Sequence, residues 1–247
     1  MLLLLLACST APAPVTPSLS SSVEGGADQG GGPEVQEVGE DGPAPDPSPP
    51  PEPAVPTYTA TIQPLSEDTR AAILEAGTWK EGCPVALDGL SELHLNHHGL
   101  DGQVHQGLLI VNSAHAQGLS QVFGTLFEAG FVIQQMKPAH VYGGDDDAMM
   151  ADNNTSAFNC RPVSGGSRYS EHSFGHALDL NPLWNPYVRG GKVMPPGGAD
   201  FLDREADLPG LVHADGLVVK AFAEIGWGWG GTWKNSKDYQ HFSATGK

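Results

Sequence analysis

From Tyr58 onward the sequence predicts an α+β domain built around a small antiparallel sheet. Three observations predict it: short strand-like runs, only a few stretches of helical period, and long Gly/Pro/Asn/Asp-rich connections between them. In chain order, Ser66 to Gly77 reads as a short helix. Ser66 is its N-cap, Glu67 and Asp68 sit in the first turn, and Gly77 takes the left-handed stop position. Leu90 to Leu95 reads as a short strand. Gly107 to Asn112 is apolar on both faces and reads as a central strand. The strongest helix runs from about Ser113 to Ala129, with Leu119, Val122, Phe123, Leu126 and Phe127 on one buried face and Gly130 as its stop. Phe131-Val132-Ile133 begins another strand, and a second helix covers about Ala214 to Ile225. Two long loops, Tyr142 to Tyr169 and Pro182 to Pro209, remain; loops of that length in a compact domain carry function more often than filler.

Residues 1–57 differ in kind. They hold no Lys or Arg, eight Asp/Glu and 12 of the chain's 21 prolines. Such a segment buries too little apolar surface to offset its ordering entropy, so residues 8–57 read as a disordered linker ahead of one domain, 58–247. The formal charge of −17 divides into −8 for the tail and the remaining −9 for the domain. That acidity argues against DNA or RNA as a partner, since nucleic acid asks for a basic patch.

Of the three cysteines, Cys8 ends Leu5-Leu6-Ala7-Cys8, which resembles the lipidation site of a bacterial lipoprotein signal. Residues 1–7 would then be part of a signal peptide and Cys8 the lipidated residue, anchoring the chain to a membrane of the cell envelope. In an exported protein Cys83 and Cys160 are free to pair, and a disulfide is expected rather than two buried thiols.

The chemistry centres on Ser170-Glu171-His172-Ser173-Phe174-Gly175-His176-Ala177-Leu178-Asp179. His172 and Asp179 are good zinc ligands, but their odd spacing would send them to opposite faces of one strand. A loop holding His172, a turn at Gly175 and a short strand from His176 to Asn181 solves this. Ala177 and Asp179 then share a face. Catalytic zinc takes three protein ligands and keeps one position open. His241 supplies the third ligand and Asp238, three residues before it, a general base. Whether the chain turns or bulges there is open at this level. Arg161, next to Cys160, is a candidate donor to an oxyanion. Trp227, Trp229 and Trp233 alternate with glycines and read either as core packing under the last strand or as a wall of a substrate groove, with Tyr187 and Tyr239 as weaker groove candidates. His94, His97 and His98 lack an acid or Cys partner and read as a solvent-facing loop. Asp145-Asp146-Asp147 with Asp152 reads as an acidic rim rather than a calcium loop.

These residues resemble the zinc D-alanyl-D-alanine carboxypeptidases of the VanY and VanX type, with the related L-alanyl-D-glutamate endopeptidases. The signature Ser-x-His-x-x-Gly-x-Ala-x-Asp is met by Ser170, His172, Gly175, Ala177 and Asp179. A second signature, an acid three residues before a His near a Trp-rich C-terminal stretch, is met by Asp238 and His241. Thr155 to Arg161 and Asn181 to Tyr187 also resemble the extracellular VanY-like subgroup. The resemblance implies a hedgehog/D-peptidase-like fold and Zn²⁺ on His172, Asp179 and His241. It also implies Asp238 as base, Arg161 as donor to the substrate carbonyl, and Ser170 within reach of substrate. The dipeptidase branch uses Glu where this chain has Asp238, which fits the carboxypeptidase or endopeptidase branches better. His176 stands where relatives often carry another residue type. The expected activity is hydrolysis of the peptidoglycan stem peptide by a monomeric, lipid-anchored envelope protein, facing the periplasm or the cell exterior. Removal of a terminal D-alanine ranks first and cutting after L-alanine second. The alternative from another class is a catalytically silent zinc domain that binds wall peptide or a protein partner.

Overall fold

Side-chain alternation along two neighbouring strands decides where the core sits. The computed structural model describes residues 55–163 and 165–247. The leader at residues 1–7, Cys8 and the tail up to residue 54 lie outside the described residues. β1 (Ala60–Pro64), β2 (Leu90–His98) and β3 (Val104–Asn112) form an antiparallel sheet in that order. Leu93, Leu95, Leu109 and Val111 face one way and are buried under α2 (Ala116–Glu128), which presents Leu119, Val122, Phe123 and Leu126 to them. Burying each such side chain stabilises the fold by roughly 1.5–3 kcal/mol. Leu90 and Ile110 face the other way, into a second cluster with Leu65, Ile73 of α1 (Glu67–Glu75), Phe158 and Cys160.

The two-faced burial expected of Gly107 to Asn112 is present, but the middle strand is β2, not β3. The outer edge of β3 is occupied by irregular chain instead: Phe158 N–H donates to the Ile110 carbonyl at 3.0 Å, and Asn112 N–H donates to the Gly175 carbonyl at 3.2 Å. Ser66 caps α1 as expected, accepting from Thr69 N–H at 3.2 Å. α2 starts later than expected because Asn112 Oδ1 accepts from Ala114 N–H at 3.1 Å, a local turn that competes with the helix.

The expected strand at Phe131 to Ile133 is reduced to one parallel bridge, Val132 with His98. The Asn181 side chain accounts for this. Its amide donates to the Val132 carbonyl at 2.8 Å and its oxygen accepts from Gln134 N–H at 3.1 Å, so those groups need no ladder. The paired segments are β4 (Gln135–Met136) and β5 (Asn154–Thr155), and they run parallel. The first long loop contains α3 (Asp146–Ala151), capped by Asp145. β6 (Ala177–Asp179) follows. The second loop contains the hairpin of β7 (Tyr187–Arg189) and β8 (Lys192–Met194). After α4 (Leu217–Glu224) come β9 (Gly228–Trp229), β10 (Lys237–Asp238) and β11 (His241–Ser243). They complete two further small sheets, β6-β11-β9 and β10-β7-β8. Phe222 of α4 stacks on Phe242 of β11 with centroids 3.9 Å apart, joining this half to the main core.

His94, His97 and His98 lie on β2 and not on a solvent-facing loop. Alternation sends His97 inward, 4% exposed, while the His98 ring stacks on Phe127 at 4.3 Å. Cys83 and Cys160 are joined by a disulfide across 77 positions. Removing it in a Cys83→Ser/Cys160→Ser variant is expected to cost about 2–5 kcal/mol, read as a fall in ΔG of unfolding by denaturant titration. Equal stability would show that the bond closes a loop already ordered in the unfolded chain.

Candidate active site

Gly175 is the pivot of the site. Its φ of +65° suits glycine, and a Cβ there would lie 2.6 Å from the Asn112 backbone nitrogen. Before it, Glu171–Phe174 form a single 3₁₀ turn; Ser170 caps it, its Oγ accepting from His172 N–H at 3.4 Å. After it, β6 carries Asp179, held on one side by β11 and on the other by a two-bond bridge to Ser156. The reversal at Gly175 therefore brings His172 and Asp179 to one place despite their odd spacing. Leu178 and Leu180 point to the core, as the alternation requires.

His241 stands directly opposite Asp179 in the β6–β11 ladder. His172 Nε2 is 3.2 Å from Asp179 Oδ2 and His241 Nδ1 is 3.0 Å from Asp179 Oδ1. Ligand atoms of the three residues all lie within 4.8 Å of one another. The far nitrogen of each ring is anchored to the backbone: His172 Nδ1 to the Ala157 carbonyl at 2.6 Å and His241 Nε2 to the Lys247 carbonyl at 3.1 Å. Those anchors fix each ring's orientation and aim its other nitrogen at Asp179, so that nitrogen can bind a metal ion in exchange for its proton. Burial alone would raise the Asp179 carboxyl, but the two facing histidines outweigh it and hold it well below the usual range. Burial likewise opposes protonation of His241, yet Asp179 lifts its imidazole to about 9. A carboxylate so strongly drawn to positive charge, between two directed nitrogens, fits a divalent cation with N, N and O donors.

Asp238 joins this cluster from another sheet. β10 pairs with β7, putting Asp238 opposite Tyr187, whereas β11 belongs to the β6 sheet. The chain turns between Asp238 and His241: it bends at Tyr239-Gln240 and changes sheets, with the Gln240 carbonyl accepting from Leu180 N–H at 2.9 Å. Gly230 lets Asp238 approach, since a Cβ there would meet the Asp238 carbonyl oxygen at 2.7 Å. Oδ1 of Asp238 is covered and has no hydrogen-bond partner among the described residues. Burial pushes its carboxyl up to about 7, with Asp179 adding to the rise and His241 opposing it. A carboxyl poised there can take up and release a proton near neutrality.

Arg161 lies in the same cleft and pairs with Asp146. The cleft has a volume of about 450 Å³, and Ser170, Tyr187, Met194 and Trp233 also line it. Three candidate groove residues do not, and the first of them, Trp227, is buried in the core. Trp229 is 7% exposed within the core, its indole N–H donating to the Tyr239 carbonyl at 2.8 Å. The Tyr239 ring lies under the Arg204 guanidinium, 4.7 Å away. The sheet change at Tyr239-Gln240 explains this: it turns the ring beside Asp238 to the back of the site, while Tyr187, across the ladder from Asp238, faces the cleft. Asp146 was legible only as part of an acidic rim. The available signal was Asp145 as a helix cap, which makes the next two residues helical rather than loop.

Residues 164–244 match a family described as D-alanyl-D-alanine carboxypeptidase. No curated protein and no solved structure matches the chain. The matched stretch contains His172, Asp179, Asp238 and His241, so over residues 164–244 the chain is similar to the VanY-type D-alanyl-D-alanine carboxypeptidases.

Proposed function

We propose that this chain is a zinc peptidase of the bacterial cell wall that removes a terminal D-alanine from the peptidoglycan stem. The observation that carries the reading is the convergence, in one cleft, of the His172–Asp179–His241 donor set with the covered, unpartnered Oδ1 of Asp238. Zinc held by the three residues supplies Lewis acidity at neutral pH, both for a carbonyl oxygen and for attacking water. Asp238 accepts the proton of the attacking water and passes it to the leaving amine, a transfer suited to a carboxyl that titrates near neutrality. Arg161 donates to the carbonyl oxygen as negative charge grows there. Ser170 and Tyr187 orient the peptide from the two sides of the cleft.

A free terminal carboxylate is favoured over an internal bond by two arginines of the cleft wall that have no acidic partner among the described residues. The cleft is lined by four basic residues, Arg161, Arg168, Arg189 and Lys247, and by four acidic ones, Asp146, Glu171, Asp179 and Asp238. Arg168 and Arg189 form no ion pair among the described residues, and Arg189 shares a strand face with Tyr187. Arg189→Ala is expected to raise KM by about tenfold, the loss of one charge-assisted contact of ~1.5 kcal/mol. That rise should appear with a free-acid peptide and vanish with its C-terminal amide; an equal rise with both would assign Arg189 elsewhere.

The function itself is tested by incubating the purified, zinc-loaded chain with muropeptides and weighing the products by mass spectrometry. Loss of one alanine supports the proposal. Splitting after L-alanine would place the enzyme with the endopeptidases, and no cleavage with zinc bound would make it a silent binding domain.

A further inference from the structure

Arg161 is held at its main chain more firmly than a cleft-lining arginine requires. Its N–H donates to Ser173 Oγ at 2.9 Å, and its carbonyl accepts from Ser170 N–H at 3.0 Å and from Ser173 Oγ–H at 2.7 Å. The preceding Cys160 carries the disulfide and donates its N–H to the Thr78 carbonyl at 3.0 Å. The backbone is thus bolted to the turn that bears His172. Among the described residues the guanidinium, several rotatable bonds away, is fixed by one polar contact, the ion pair of its Nη2 with Asp146 Oδ2. Its Nε is buried without a hydrogen-bond partner among the described residues. A planar guanidinium held at one corner keeps its other N–H groups in a set direction.

Asp146 is itself placed with care. Asp145 caps α3 by accepting from Ala148 N–H at 3.0 Å, and Met149 and Met150 bury the helix's inner side. Asn159 Nδ2 donates to the Gly144 carbonyl at 3.1 Å, tying the chain just before α3 to the chain just before Arg161. The side chains of Asp146 and Arg161 are 31% and 24% exposed, and both line the cleft. The Asp146 carboxyl also lies within electrostatic reach of His172 and Asp179.

We propose that Asp146 is a positioning residue: it holds the Arg161 guanidinium so that the remaining N–H groups face the substrate carbonyl. This rests on the peptidase reading above. Asp146 touches neither substrate nor ion; it acts through Arg161.

The test is a double-mutant cycle in the zinc-loaded full chain, with kcat and KM measured for Asp146→Asn, Arg161→Ala and the double variant. Arg161→Ala is expected to lower kcat by about 10²–10³-fold, as removal of an oxyanion donor does. Asp146→Asn should lower it about 10–100-fold with KM and zinc content unchanged, as loss of an outer-sphere partner does. The double variant should be no worse than Arg161→Ala. Added guanidinium should restore part of the activity of Arg161→Ala and none in the double variant, because its docking carboxylate is gone. Losses that multiply, or equal rescue of both, would overturn the proposal. A second readout does not need activity: the Arg161 Nε–H NMR signal should be protected from exchange in the wild type and merge with those of mobile arginines in Asp146→Asn. An unchanged signal would overturn the proposal even in an active enzyme. A wild type that cleaves nothing sinks the peptidase reading, and the NMR comparison then decides the role of Asp146 alone.

Discussion

Asp238→Ala is expected to retain zinc and lose about 10²–10⁴-fold in kcat, the usual contribution of a positioned general base. The side chain is not among the three whose ligand atoms converge, so its removal leaves the donor set intact. It does remove the carboxyl that burial pushes up to about 7. That value gives the wild type an acid limb. The carboxylate must be ionised to accept a proton, so kcat/KM falls as pH drops through its pKa. A bound cation favours the ionised form and moves the limb from about 7 toward the ordinary carboxylate range. The residual activity of Asp238→Ala should lack this limb. Metal analysis beside the pH profile checks both parts; zinc lost as readily as activity would make Asp238 a ligand instead of a base.

His241→Ala should do the reverse, emptying the site. It removes one of the three proposed ligands, together with the ring that ties Asp179 to the Lys247 carbonyl at the far side. Two remaining donors do not make the closed protein side of a catalytic zinc site. After dialysis the variant is expected to hold no stoichiometric zinc and to show no turnover, while its fold, measured by circular dichroism, persists on the core of α2 and the first sheet. Full zinc occupancy would show that another side chain completes the set.

The three residues that converge in the cleft were readable in the sequence because metal chemistry limits residue types sharply. His172 and Asp179 around a glycine needed a reversal, and Gly175 could provide it. What was not readable depended on contacts between distant segments. Phe131 to Ile133 has strand composition, yet the Asn181 side chain, some 50 positions on, takes up its backbone groups. β3 has the composition of a central strand because its outer edge is covered, though by a loop and a turn and not by a strand. Trp229 and Tyr239 were plausible walls by type; only the sheet change after Asp238 decides that one goes to the core and the other to the back. α3 hid inside an acidic run that capping explains once the helix is seen. The general α+β architecture needed none of these details, since it follows from the periodicity of α2 and the apolar strands alone.

The bend at Tyr239-Gln240 separates two jobs that a single strand would have merged. His241 answers to the β6 sheet and through Phe242 to the hydrophobic interior, whereas Asp238 answers to the β7–β8 hairpin, whose exposed face bears Arg189. Under the proposed function, sequence drift in that hairpin can therefore retune which peptide is accepted, and move Asp238 with it, without disturbing the His172–Asp179–His241 cluster. Grafting a foreign hairpin between Pro186 and Pro195 is a natural way to redirect such an enzyme.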